Sequence, residues 1–549
     1  MVEQNTRLPA RRLWPDPWSV GAVLIAAAVL MPIASVLWLA LNPAENVWPH
    51  LLNTTLPRYL GNTGVLMAGV AGLSAAMGTG AAWMVAMYRF PLSRWLDWLL
   101  LLPLAIPAYV GAYALVDFLE YAGPVQTGLR GLMGWQSARD YWFPEIRSRG
   151  AAILVLSAAL YPYVYLLART AFREQSGGAY EVARALGAGP WGLFTRVGLP
   201  LARPAIAAGA AIVMMETVND FGVVDYFAVQ TLTAGIFSVW LESGNAGGAA
   251  QIAMVILAMI LALVALEKVS RRNLRFHNIA RHHRPLNPVR VTGAAGWAMT
   301  ALCALPVGVG FVLPVGVLAS HAFGAGGAWI DPGLLRALWN TLTVGGLAAL
   351  GTVTAALFLV YGVRLTGRML PKLLLPVTTI GYAAPGAVLG VGLLIPMAAA
   401  DNALADAVEG ALGVDIGLVM TGSAFAIIYA YGVRFFAIAQ GAADAAMGRI
   451  APSLPMAARS LGRSARGTLG AVYLPLIRPT VGTALLLVFV DCVKELPATL
   501  LLRPFNFNTL ATRVYEKASL ENLGDAAPAA LLVSAVGLIA VAFLARANR

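Results

Sequence analysis

One short polar segment occurs twice in this chain of 549 residues, each time between apolar stretches long enough to cross a bilayer. The first copy is Glu181-Val-Ala-Arg-Ala-Leu-Gly187, followed by Val197-Gly-Leu-Pro200-Leu-Ala-Arg203-Pro204. The second is Met456-Ala-Ala-Arg-Ser-Leu-Gly462, followed by Val472-Tyr-Leu-Pro475-Leu-Ile-Arg478-Pro479. Glu181 matches Met456 and Pro204 matches Pro479, each pair 275 positions apart. A chain built this way is a duplication, and a duplicated polar loop implies a duplicated partner.

Composition decides the solvent. With 59% hydrophobic and 12% charged residues and a mean hydropathy of +0.73, the chain cannot be a soluble globule of this length. A crossing helix needs about 20 apolar residues. Such stretches lie at 18–41, 63–88, 95–118, 150–172, 202–224, 249–267, 296–319, 339–363, 370–396, 416–438, 479–501 and 526–546. The expected fold is therefore an all-α polytopic membrane protein of about twelve transmembrane helices, in two fused six-helix halves. The first half is 1–267 with its loop at 173–204, a basic linker covers 268–295, and the second half is 296–549 with its loop at 448–479. The first apolar run is too long for the core of a cleaved signal peptide and reads as the first span.

Orientation follows from the basic residues. Placing the N-terminus inside puts 28 of the 38 Lys and Arg inside and leaves 10 outside, as the positive-inside rule requires. Both termini and both repeated loops then face the cytoplasm. The run from Arg271 to Arg284 has the look of a nucleic-acid patch, but its place between spans six and seven makes it a basic linker, and no nucleic-acid partner is expected. His277, His282 and His283 lie in that linker without acid or thiol partners, so no metal site is assigned to them. Cys303 and Cys492 fall inside apolar spans and are not expected to pair.

Each half opens with an Asn-Thr pair, Asn62-Thr63 and Asn340-Thr341, and closes with the polar loop and two more spans. The loop reads as two short helices hinged at Gly187 or Gly462, with Pro200 and Pro204 turning the chain into the next span. A surface helix with Val182 and Leu186 on one side and Arg184 on the other suits a groove in a soluble partner. The plainer alternative is a helix that only touches lipid headgroups.

The duplication continues into the membrane. Glu216 matches Asp491 and Asp220 matches Glu495, again 275 apart, and each pair has i, i+4 spacing that would place both acids on one helix face. Asn219 and Lys494 occupy the matched position before the second acid. Acids at this depth cost several kcal/mol unless hydrated or paired. Two readings stand: a negative vestibule toward the outer half of the membrane that favours a multivalent cation, or a set of ion pairs and helix caps in which Lys494 neutralises Glu495 and the helices unwind at Gly222 and Pro497.

The loop pattern Glu-x-Ala-x3-Gly-x9-hydrophobic-x-Leu-Pro resembles the EAA loop of ABC importer permeases. Two copies in one chain resemble the fused permeases of ferric-iron and thiamine importers. The segments Glu216-Thr-Val-Asn-Asp-Phe-Gly222 and Lys494-Glu-Leu-Pro-Ala-Thr-Leu500 are similar to the ferric-iron branch. The resemblance implies a bacterial inner-membrane permease seated on two cytoplasmic ABC ATPase subunits and fed by a periplasmic binding protein. Its coupling residues would be Glu181, Ala183, Gly187, Leu199 and Pro200 in the first loop and Ala458, Gly462, Leu474 and Pro475 in the second, where Met456 replaces the glutamate. No Gly-rich phosphate loop and no nucleophile-base pair is present, so the chain is expected to be non-catalytic and to bind no cofactor, with ATP and Mg held by the partner ATPase. The expected cargo is ferric iron. Thiamine or an organophosphonate is the alternative within the class, and an ion-coupled secondary transporter the alternative outside it.

Overall fold

The computed structural model describes residues 17–43, 45–272, 288–324, 328–366 and 369–547. Arg7, Arg11 and Arg12, and the linker histidines His277, His282 and His283, lie outside the described residues. Among those described, eleven helices are long and apolar enough to cross a membrane, or twelve when the apolar pair Ser93–Ala105 and Ala108–Met133, bent by 94°, is counted as one broken span. Among the described residues one strand pairing occurs, Tyr88–Arg89 in parallel to Val289–Arg290. Cys303 and Cys492 are free and buried.

Helices dominate because hydrocarbon offers the backbone no hydrogen-bond partner, so each N–H must find a carbonyl on its own element. Departures occur where the sequence removes a donor or supplies a substitute acceptor. Pro200 has no N–H for the carbonyl of Arg196, and Pro475 none for that of Ala471. Both helices widen there into a π turn, Phe194–Gly198 and Leu469–Tyr473, in which Leu199 and Leu474 reach back to Phe194 and Leu469. The two turns occupy matched positions, so the duplication extends to this irregularity.

Five spans differ from the sequence reading, the third, 95–118, being divided into the bent pair just described. The fifth and eleventh do not run to 224 and 501 but stop at Asn219 and Lys494, and short helices Gly222–Tyr226 and Pro497–Leu502 follow. The ninth is divided into Met369–Val377, a 3-10 turn Thr378–Ala383, and Gly386–Leu412 after Pro385. The tenth is displaced to Phe425–Gly448, because the apolar stretch from 416 belongs to a loop tied down by Asp401. That carboxylate accepts the N–H groups of Val419, Met420 and Thr421 at 2.7–3.1 Å.

The leading span of each half crosses to the other half. Pro17–Leu41 packs on Pro332–Thr366 and Gly386–Leu412, with Trp18 stacked on Phe358 at 4.6 Å and the Tyr429 hydroxyl donating to the Ala28 carbonyl at 2.6 Å. In return Gly293–Phe323 packs on Ala108–Leu119 and Arg149–Arg173, with Thr300 donating to the Pro91 carbonyl at 2.6 Å and His321 Nε2 3.0 Å from Asp117 Oδ2. This exchange ties the halves together at their peripheries and leaves their broken helices facing each other in the middle.

The two Asn-Thr pairs have one shared task. Asn62 donates to the Gln230 carbonyl at 2.8 Å and Thr63 accepts from Leu232 N–H at 3.1 Å. Asn340 donates to the Asn508 carbonyl at 2.9 Å and Thr341 accepts from Leu510 N–H at 2.8 Å. Each pair pins the chain that returns after a broken helix, where backbone groups would otherwise lack partners.

Candidate functional site

The repeated loops fold alike. The helices Gly177–Ala185 and Ser453–Ser460 end at Gly187 (φ 84°) and Gly462 (φ 82°), left-handed conformations that glycine adopts without penalty. Ala188 N–H closes back on the Ala183 carbonyl at 2.9 Å and Arg463 N–H on that of Ala458 at 3.0 Å. Ala183 and Ala458 therefore act through their backbone, holding the hinge. Val182, Leu186 and Trp191 in the first loop, and Met456 and Leu461 in the second, are exposed, as are Glu181, Leu474 and Pro475; Leu199 and Pro200 are half-buried.

What anchors each loop differs. In the first half Tyr180 is buried beside Trp83, hydrogen-bonds Gln175, and lies over Gly198. In the second half the matched residues are Pro455, Tyr361 and Tyr473. Tyr473 fills from the span side the space that Tyr180 fills from the loop side, packing edge-on to Tyr361 at 5.3 Å. Large and small residues have changed places across one contact.

All four intramembrane acids line a single cavity of about 200 Å³ between the halves. Tyr163 and Arg434, which also line it, sit near the middles of their helices, so the cavity is at mid-span rather than toward the outer half. The broken stretch Leu104–Ala108 forms another part of its wall. The acids divide into two kinds. Asp220 and Glu495 do not share a helix face with Glu216 and Asp491, because the helices end one residue before them and their own backbones are extended. Asp220 accepts Val223 N–H at 2.9 Å, and Glu495 accepts the N–H groups of Ala498 and Thr499 at 3.1 Å, so each caps the short helix that follows. Glu216 and Asp491 have no hydrogen-bond or ion-pair partner among the described residues, but Arg434 lies within electrostatic reach of both, Lys494 within that of Asp491, and Tyr163 and Tyr382 are also near.

Lys494 does not neutralise Glu495. That role belongs to Arg434, whose Nη1 is 2.9 Å from Glu495 Oε1. Lys494 Nζ instead donates to the Leu104 carbonyl of the first half at 2.7 Å. Sequence reasoning missed Arg434 by placing it at the inner end of a span; an arginine within an apolar run was itself the signal that a buried acid needed a partner. It also missed Tyr109, whose buried hydroxyl, like Asn219 Oδ1, has no hydrogen-bond partner among the described residues. Among the described residues no three acid, histidine or cysteine side chains are grouped to hold a metal ion, so the acids are spread along the cavity and do not form a closed cage.

Known proteins resemble this chain in sequence. Residues 76–275 match the family described as "Binding-protein-dependent transport system inner membrane component". Over 497 residues the chain is 26% identical to the Fe(3+)-transport system permease protein FbpB 2 of Haemophilus influenzae, with 88% of each chain covered. It is 27% identical over 208 residues to the molybdenum transport system permease protein ModB of Escherichia coli, covering 36% of this chain and 87% of the relative. It is 28% identical over 265 residues to the sulfate transport system permease protein CysT of Escherichia coli, covering 46% and 92%. The last two align with less than half of this chain, whereas the first spans both repeats. With two loops of one geometry, two broken helices at matched positions and a similarity that runs through both halves, the chain resembles the binding-protein-dependent inner-membrane permeases in the form of a fused double permease.

Proposed function

We propose that this permease imports ferric iron, handed over by a soluble binding protein on the face opposite the repeated loops. Two cytoplasmic ATPase subunits seat on the helices Gly177–Ala185 and Ser453–Ser460 and supply the energy; ATP and Mg are held there and the permease itself is non-catalytic. Both termini lie on that cytoplasmic side. The observation that carries the cargo class is the charge of the cavity: four carboxylates face two basic side chains, Arg434 and Lys494. In a site of low dielectric an excess of carboxylate repels an oxyanion and attracts a hard cation. The name of the relative that spans both halves points the same way. The exposed apolar residues on both loops support docking to a protein rather than an ion-coupled carrier, which has no use for a docking helix in each half.

The test is reconstitution of the chain in proteoliposomes with its ATPase and binding protein, followed by uptake of radiolabelled ferric iron. Uptake is expected to require ATP and both partners and to be unaffected by sulfate, molybdate, 2-aminoethylphosphonate or thiamine. Competition by one of these, or uptake by the chain alone under an ion gradient, would overturn the assignment.

A further inference from the structure

The two walls of the central cavity are not equivalent, although the duplication that built them is regular. At the position before the capping acid the first half has Asn219 and the second has Lys494. Arg434 likewise comes from the second half alone, its matched region in the first half being the apolar stretch around Ala158 and Ala159. Among the described residues the first-half wall offers Glu216 without a hydrogen-bond or ion-pair partner, and the buried Asn219 Oδ1 and Tyr109 hydroxyl without any hydrogen bond. Asn219 is 8% and Tyr109 4% exposed, so water outside the cavity does not serve them. Oxygen atoms are thus in excess on one side and positive charge is confined to the other.

The two cations are held differently. Arg434 is fixed by the carboxylate of Glu495, which is itself locked by the N–H groups of the helix it caps. Lys494 has no carboxylate within ion-pair distance among the described residues. Its hydrogen bond among the described residues crosses from the second half to the first, to the Leu104 carbonyl in the broken stretch that walls the cavity. That carbonyl is available because the chain leaves its helical turn just beyond it, at Ile106-Pro107. One turn before Lys494 on its own helix stands Asp491, the i, i+3 neighbour.

We propose that Lys494 is a resident counter-cation: its ammonium group occupies the acidic cavity in the absence of cargo, latches the two halves through Leu104, and is displaced when a cationic cargo reaches Glu216 and Asp491. Arriving positive charge raises the cost of keeping the ammonium beside Asp491, and its flexible stem lets it withdraw. Withdrawal frees the Leu104 stretch, so cargo entry and release of the halves are one event. Lys494 is in this account a positioning residue and not a cargo ligand. The inference rests on the cation-cargo reading, but its main test does not require iron.

The experiment measures ATPase activity of the purified permease–ATPase complex in lipid, with no binding protein and no metal added, for wild type, Lys494→Met, Lys494→Asn and the exchange variant Lys494→Asn/Asn219→Lys. Loss of the latch is expected to raise the idle rate in both single variants about tenfold, the size of one charge-assisted hydrogen bond. The exchange variant, which moves the ammonium to the matched position, is expected to return toward the wild-type rate and to recover binding-protein-dependent iron uptake. Unchanged idle ATPase in the single variants, at normal complex yield, would overturn the proposal. So would an exchange variant as leaky as Lys494→Asn, because an ammonium returned to the cavity at the matched position of the other half would then fail to latch the two halves. Absence of iron uptake by the wild type would instead contradict the cargo assignment and leave the ATPase comparison to judge Lys494.

Discussion

Arg434 and Glu495 form a 2.9 Å ion pair in the middle of the membrane span, and the Glu495 side chain is only 1% exposed. Breaking such a pair by removing one member leaves an uncompensated charge, which costs about 3–5 kcal/mol. Arg434→Met is therefore expected to lower membrane abundance and thermal stability sharply, and Arg434→Met with Glu495→Gln to lower them less than the single change. A double-mutant cycle on detergent-solubilised protein checks this; additive losses would mean that the pair is not coupled.

Gly386 stands at the start of its helix so close to this pair that an added Cβ would meet both Arg434 Nη1 and Glu495 Oε1. Gly386→Ala is expected to reproduce part of the Arg434→Met defect, about 1–3 kcal/mol as for other overpacked sites. Thermal unfolding followed by the tryptophan signal would show it, and an unchanged midpoint would contradict the packing described.

The hinge glycines test the loops. Proline fixes φ near −65°, and Gly187 and Gly462 stand at 84° and 82°. The double variant Gly187→Pro/Gly462→Pro is expected to insert normally yet fail to co-purify with the ATPase and to lose uptake. Glu181→Ala is expected to weaken coupling in the first loop, while Met456→Ala in the second has a smaller effect because no carboxylate stands there. Normal co-purification of the proline variant would show that docking does not depend on the hinge.

The exchange of bulk between the loops yields a transplant. Gly198→Tyr alone drives a ring into space already filled by Trp83 and Tyr180, and is expected to reduce abundance. The triple variant Trp83→Tyr/Tyr180→Pro/Gly198→Tyr carries the second half's combination and is expected to recover. Quantitative immunoblotting of membranes reads the result, and a triple variant no better than the single would contradict the compensation.

Much of this architecture was legible in sequence because it follows from long apolar runs and from a repeat that preserves spacing. Gly187, Gly462 and the four acids were visible as matched positions. What was not legible depended on partners distant in sequence. The capping acids Asp220 and Glu495 looked like helix-face residues because i, i+4 spacing says nothing of an N–H captured beyond the helix end. The crossing of Pro17–Leu41 to the other half leaves no periodic signature, and Arg434 was misplaced because the apolar loop held by Asp401 resembled the start of a span. The reading in which Lys494 neutralises its neighbour Glu495 fails because the hydrogen bond of Lys494 lies 390 positions away, at Leu104.

The most direct test of the acidic cavity as the cargo route is ATP-dependent ferric iron uptake by Glu216→Gln, Asp491→Asn and the double variant, measured together with membrane abundance and ATPase association. These two acids face the cavity without hydrogen-bond or ion-pair partners among the described residues, so neutralising one is expected to be mild and neutralising both to abolish most uptake while abundance and association stay normal. Unchanged uptake by a normally assembled double variant would contradict the account.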